Sequence, residues 1–280
     1  MTTILFESHH LYYLPHFEPI IAELKRRGGY EIAASIPLTV ATDERRLFAE
    51  SAQKLGVEII SDRDEKERVA KLRQREFNAI VVGNVGRVEA IAAENSVVVM
   101  VYHGIGLKQS YYTDISPRVN LRAVESKSRF GELEEKGQIN LVLTGLTKLD
   151  PLACVAETAR DNLLRKWNLD PDLPTVLYAP TFYPSSLEKL LSELPTLADQ
   201  TNVLIKLHNF SWYQKRYRFQ IEMASEVANG CKGLVLLPPE EFHITKFYPV
   251  ADILLSDLSS TLFEFLALNR PIIQTEFYTP

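Results

Sequence analysis

ADILLSDLSSTLFEFLALNRPIIQT, residues 251–275, decides the fold. Its apolar run Ile253-Leu254-Leu255 suits a buried strand, Asp257-Leu258-Ser259-Ser260 a polar turn, and residues 260–268 a helix that Ser259 or Ser260 can cap. Pro271 then restarts the chain toward Ile272-Ile273, a further strand. In an open α/β sheet this junction lies at the carboxyl end of a strand, where helix N–H groups and hydroxyls can hold an anion such as phosphate. Taken alone, the stretch reads equally as an ordinary strand-turn-helix unit in which Asp257 and the serines cap a helix.

The same alternation runs through the rest of the chain. Strands are expected over 3–6, 32–34, 57–60, 79–82 and 97–101, with helices over 45–55, 65–76 and 88–94 between them. An early helix carries Phe17, Ile20, Ile21 and Leu24 at helical spacing and ends in Arg26-Arg27-Gly28-Gly29, a basic last turn with a glycine stop. The pattern continues over 121–124, 129–135 and 139–143, then gives way to turns, a polar helix over 157–167 and two prolines. It restarts over 175–179, 187–197, 203–207, 213–228, 234–237, 242–247 and 253–255. The expected fold is therefore α/β, with two Rossmann-like, doubly wound, mainly parallel domains, 1–148 and 149–280, facing a cleft. The last strand falls just before Pro280, so the second domain is expected to be cut short or closed by something unusual.

Composition narrows the function classes. With 280 residues, 46% hydrophobic, the chain can bury one large core or two ordinary ones. A net charge of -5 and a pI near 5.8 give no electrostatic case for nucleic acid. Cys154 and Cys231 form neither a disulfide framework nor a zinc-like spacing, and the N-terminus has no signal-peptide pattern, so a reducing, cytoplasmic setting is expected. The longest apolar runs, 79–82 and 97–101, are strand length, which leaves peripheral contact as the expected form of any membrane association.

Several residue groups could carry chemistry. His103 follows the fifth strand directly in His103-Gly104-Ile105-Gly106-Leu107-Lys108, where a histidine can act as a general base and Lys108 can offset phosphate charge. The bland alternatives are a loop histidine bonded to backbone and a solvated lysine. Lys206 and His208 end another strand on one face, the first supplying charge and the second a directed donor to phosphate. His9, His10 and His16 follow the first strand without metal-ligand spacing, so no metal is expected; one of them with Glu7 would face the cleft as an acceptor contact, and Tyr12 and Tyr13 would cover the rim. Either Asp114 or Glu125 can orient His103, and Glu264, one turn into the last helix, can accept ribose hydroxyls. No GxGxxG, GxxxxGK[ST] or GxSxG pattern is present.

Five stretches, HGIGLK at 103–108, LTGLTKLDPL at 143–152, LYAPTF at 177–182, LIKLH at 204–208 and residues 251–273, together resemble the CDP-glycerol glycerophosphotransferase family, enzymes of teichoic-acid-type polymer synthesis. The resemblance implies a GT-B-like fold, a CDP-glycerol or other nucleotide-activated donor, a glycan or lipid-linked acceptor, no cofactor, and work at the inner membrane face. It implies that His103 is the base that deprotonates the acceptor, and that His208, Asp257, Ser259 and Ser260 surround the donor diphosphate, with Lys206 beside them. The chain departs from the family pattern at Ile105, Leu207, Asn209 and Leu258. A nucleotide-sugar glycosyltransferase or epimerase, and a non-catalytic nucleotide-binding module, are the alternatives.

Overall fold

The computed structural model describes residues 1–105, 110–113, 116–154 and 159–275. The chain divides into two units, Met1–Asp150 and Pro151–Pro280. In the first unit seven strands, β1 (Thr2–Glu7), β2 (Tyr30–Ser35), β3 (Glu58–Ile59), β4 (Ala79–Val82), β5 (Val97–Val101), β6 (Leu121–Val124) and β7 (Leu141–Leu143), pair in parallel in the order β3-β2-β1-β4-β5-β6-β7. Parallel strands need a crossover between them, and the helices expected from the 3.6-residue periodicity supply it. The central strands are covered on both sheet faces: Ile80, Val82, Val98 and Met100 are buried in one cluster with Leu72, Val88 and Leu133 from the crossovers, and Ile4, Phe6, Val81 and Val101, which alternate to the other face, are buried as well.

The second unit repeats the winding. Its strands, β8 (Thr175–Ala179), β9 (Asn202–Ile205), β10 (Leu234–Leu236), β11 (Ile253–Ser256) and β12 (Ile272–Gln274), are also parallel, in the order β10-β9-β8-β11-β12. Val176, Tyr178, Val203 and Ile205 pack with Leu187, Leu194 and Ala224. Strand order therefore reverses between β1 and β4 in one unit and between β8 and β11 in the other, and ligands of open α/β sheets bind beside the carboxyl ends at such reversals.

Local departures from the sequence expectation have identifiable causes. The helix expected over 187–197 is split into Leu187–Leu190 and Leu194–Ala198, because Pro195 has no N–H to donate and fits only near a helix start. The helix expected over 213–228 is interrupted at Gln214, which is extended, and its main part is Phe219–Asn229. The last helix is shorter than expected, Ser260–Phe265, and tightens into a 3-10 turn that Asn269 ends in the left-handed region at φ 51°.

Candidate active site

The carboxyl ends of β1, β4 and β5 gather a cluster of rings. Residues 8–13 leave β1 and turn through the 3-10 helix Leu11–Tyr13 into the helix Leu14–Arg27, whose start Pro15 favours. Tyr13 is buried rather than on the rim; its hydroxyl accepts from Asn84 Nδ2 at 2.9 Å and its ring centroid lies 4.2 Å from that of His103. Tyr12 stacks on Tyr13 at 4.8 Å and on His10 at 5.4 Å, with His103 5.9 Å away. His103 sets Nδ1 2.8 Å from the carbonyl oxygen of Gly83, just after β4. A carbonyl only accepts, so Nδ1 carries the proton and the neutral ring keeps its lone pair on Nε2.

Two glycines allow this approach. A Cβ on Gly83 would overlap Tyr13 Cδ1, and one on Gly86, whose φ is +39°, would overlap His9 Nε2. His9 is thus packed against the loop with no hydrogen-bond partner at either ring nitrogen among the described residues, and burial, followed by the charges of His10, Arg68 and Arg87, pulls its pKa down to about 4. His16 is only 1% exposed and is hydrogen-bonded to the backbone of His103, so it supports that loop from inside and cannot meet an acceptor as expected. Burial first, then the nearby Lys148, holds it well below the usual histidine range. Lys108 and Asp114 lie outside the described residues.

Glu7 does not face an acceptor either. It is buried and takes both Nη atoms of Arg68 at 3.0 and 2.9 Å, while Arg68 also bonds Glu65 and Ser35. Burial outweighs the pull of Arg68 and raises the Glu7 carboxyl. Glu125 acts on the His103 loop at one remove: it accepts from Arg129 Nε at 2.7 Å, and Arg129 Nη2 donates to the carbonyl of Gly104 at 3.1 Å.

In the second unit the loops after β8, β9 and β11 adjoin. Asp257, fully buried, accepts from Thr181 N at 2.6 Å, Ser186 N at 3.1 Å and Ser186 Oγ at 2.9 Å, so it shapes the loop after β8 rather than meeting a ligand itself. Burial raises its carboxyl against those hydrogen bonds. Ser259 caps the following helix by accepting from Thr261 N at 3.4 Å, and Ser260 begins that helix half-buried. Because the helix has only six residues, the hydroxyls carry more of any anion contact than its dipole does.

His208 lies beyond β9, which ends at Ile205, so strand alternation does not align it with Lys206 as expected. Instead it caps the helix Asn209–Tyr213, with Nδ1 accepting from Phe210 N at 3.0 Å. A backbone N–H only donates, which leaves the proton of neutral His208 on Nε2, the opposite tautomer to His103. Phe182 packs at 4.7 Å against this imidazole. Lys206 is buried with Nζ donating to the carbonyl of Leu207 at 3.0 Å. Glu264 is fully buried and accepts from Tyr248 Oη at 2.6 Å, so it is part of the core and is not presented to a ribose.

The sequence reading missed Gly83, Phe182 and Ser186 as parts of these sites. A usable signal existed, since residues 83–86 and 180–186 each follow an expected strand directly. Glu44, which accepts from Leu11 N, had none, because it approaches from a helix more than thirty residues away.

The family model described as CDP-Glycerol:Poly(glycerophosphate) glycerophosphotransferase matches residues 51–279. The chain belongs to this family. It is accordingly an enzyme of the glycerophosphotransferase type, transferring a CDP-linked glycerol phosphate to a polymer acceptor. None of the curated proteins compared with this glycerophosphotransferase matches it. Solved structures do: S. aureus MnaA with UDP (TM-score 0.71, 14% identity, 99% of this chain and 80% of that one) and the wall teichoic acid polymerase TagF (0.63, 15%, 96% and 69%). A UDP-GlcNAc 2-epimerase from Neisseria meningitidis is similar at TM-score 0.70 and 12% identity, over 99% of this chain and 84% of that one. These likenesses show the fold, two Rossmann-like units of the GT-B-like class. Among the described residues of the glycerophosphotransferase, no helix is long and apolar enough to cross a membrane.

Proposed function

We propose that the first unit, Met1–Asp150, is the acceptor side of the enzyme and the second, Pro151–Pro280, the donor side, with His103 as the base. The reading rests on one observation above all, the opposite tautomers of His103 and His208. His103 Nε2 takes the proton of an acceptor hydroxyl; that oxygen attacks the phosphorus bearing glycerol; the bond to the bridging oxygen breaks, and CMP leaves with its electron pair. The Nε2–H of His208 donates to the diphosphate as charge builds on it, and the hydroxyls of Ser259 and Ser260 add donors. Lys206 supplies positive charge nearby, and Asp257 holds the loop carrying Phe182. The acceptor is a hydroxyl on a cell-surface glycan or lipid-linked polymer, reached from the cytoplasmic face of the membrane.

The test follows CMP release from CDP-glycerol in the presence of a glycerol-phosphate oligomer, with UDP-GlcNAc as the competing donor. Turnover with CDP-glycerol that falls at least a hundredfold in His103→Ala, while CDP-glycerol still binds, supports the assignment. Normal turnover in that variant, or turnover with the UDP-sugar alone, overturns it.

A further inference from the structure

His10 is held more firmly than a loop histidine needs to be. Its Nδ1 lies 3.2 Å from Glu44 Oε1, and the same carboxylate oxygen accepts from Leu11 N at 2.8 Å. Glu44 is 2% exposed and His10 29%, so a buried carboxylate orients a partly exposed imidazole. An ionised carboxylate only accepts, so Nδ1 carries the proton and neutral His10 has its lone pair on Nε2, as His103 does. The His10 ring is near parallel to Tyr12, at 9°, and His10 and His103 both lie within 6 Å of the Tyr12 centroid. Two imidazoles with the same tautomer therefore flank one aromatic ring. Both His10 and Glu44 lie ahead of residues 51–279, the part matched by the family model.

We infer that His10 is a specificity residue for the acceptor and Glu44 its positioning residue: His10 Nε2 accepts a second hydroxyl of a polyol terminus while Tyr12 covers its carbon face. This deepens the acceptor-side reading of the first unit and rests on it. One hydroxyl goes to His103 and loses its proton; the other donates to His10 and keeps its own, so no proton is gained or lost there. A polyol terminus has the two hydroxyls this arrangement needs, and a simple alcohol has one.

The decisive variant is Glu44→Leu. Glu44 Oε1 serves both Leu11 N and His10 Nδ1, so the apolar side chain removes the acceptor that keeps the proton on Nδ1 and releases the ring from its set orientation. Acceptor KM is measured for a glycerol-ended phosphate oligomer and for the same oligomer ended by a propyl group with one hydroxyl, and the His10 tautomer is read from 15N shifts. The wild type is expected to prefer the glycerol end by about tenfold, the worth of one hydrogen bond, and Glu44→Leu to lose most of that preference as the Nδ1–H tautomer is no longer held. Glu44→Asp, which keeps an acceptor, should restore part of it.

His10→Ala, checked for folding by circular dichroism, should lose the preference in the same way and keeps the test decisive if Glu44→Leu does not fold. A preference retained in either folded variant, or absent from the wild type, overturns the inference. An enzyme that turns over CDP-glycerol through His103 yet ignores Glu44→Leu refutes this inference alone. An enzyme inactive toward CDP-glycerol refutes the function proposed above, and loss of wild-type binding preference between the two oligomers then refutes this inference separately.

Discussion

His103 donates from Nδ1 to the carbonyl of Gly83, 2.8 Å away, across the adjacent strand ends of β4 and β5. The carbonyl can reach the ring only while position 83 has no side chain, since a Cβ there would overlap Tyr13. Gly83→Ala is therefore expected to push Tyr13 and the carbonyl apart and to lower kcat at least tenfold, with CDP-glycerol affinity kept. Steady-state kinetics with donor calorimetry check this; a kcat equal to wild type would show that the bond does not set the base.

Asp257→Asn replaces one carboxylate oxygen by an NH2 that faces an N–H donor of Thr181 or Ser186. A cost of about 1–3 kcal/mol in stability is expected, together with a severalfold weaker donor Kd as the loop carrying Phe182 shifts. Urea unfolding and calorimetry measure the two effects. Unchanged donor affinity in a destabilised protein would restrict Asp257 to a structural role.

Acidification should destabilise the first unit through its buried histidines. His9 binds its proton near pH 4 when folded, against about 6.5 unfolded, and His16 is lowered in the same sense. Between those values the unfolded chain holds more protons, so the stability is present above about pH 6.5 and is lost as the pH falls toward 4. For His9 the loss approaches about 3 kcal/mol. Urea midpoints at pH 7.5 and 4.5 should differ less in His9→Gln than in the wild type; equal differences in both would contradict the assignment.

Arg68 has all five N–H donors engaged, two with Glu7, two with Glu65 and one with Ser35. Arg68→Met leaves the buried Glu7 carboxylate without its counter-charge, and a loss of about 3–5 kcal/mol is expected from the urea midpoint. The double variant with Glu7→Leu should recover part of that loss, because it removes the stranded charge as well. No recovery would mean that Arg68 matters through packing alone.

The strands at 79–82, 97–101 and 175–179 were legible to the residue, because a strand covered on both faces is a nearly continuous apolar run between polar turns. Helix ends were less so where a single residue, Pro195 or Gln214, broke the periodicity. The sites were half legible. Spacing puts His103 and His208 after strands, but which nitrogen each presents depends on Gly83 and Phe210, and no periodicity reveals that. Glu7 and Glu264 looked available because a carboxylate at a strand end or on a helix is usually solvated; here Arg68 and Tyr248, distant in sequence, have drawn both inside.

Each sheet takes its strands from one uninterrupted stretch of chain, β1 to β7 from residues 2–143 and β8 to β12 from residues 175–274. Neither ladder waits for a strand from the other. During synthesis the first sheet can close while the second is still inside or leaving the ribosome, so assembly of the His103 cluster does not require the segment carrying Asp257.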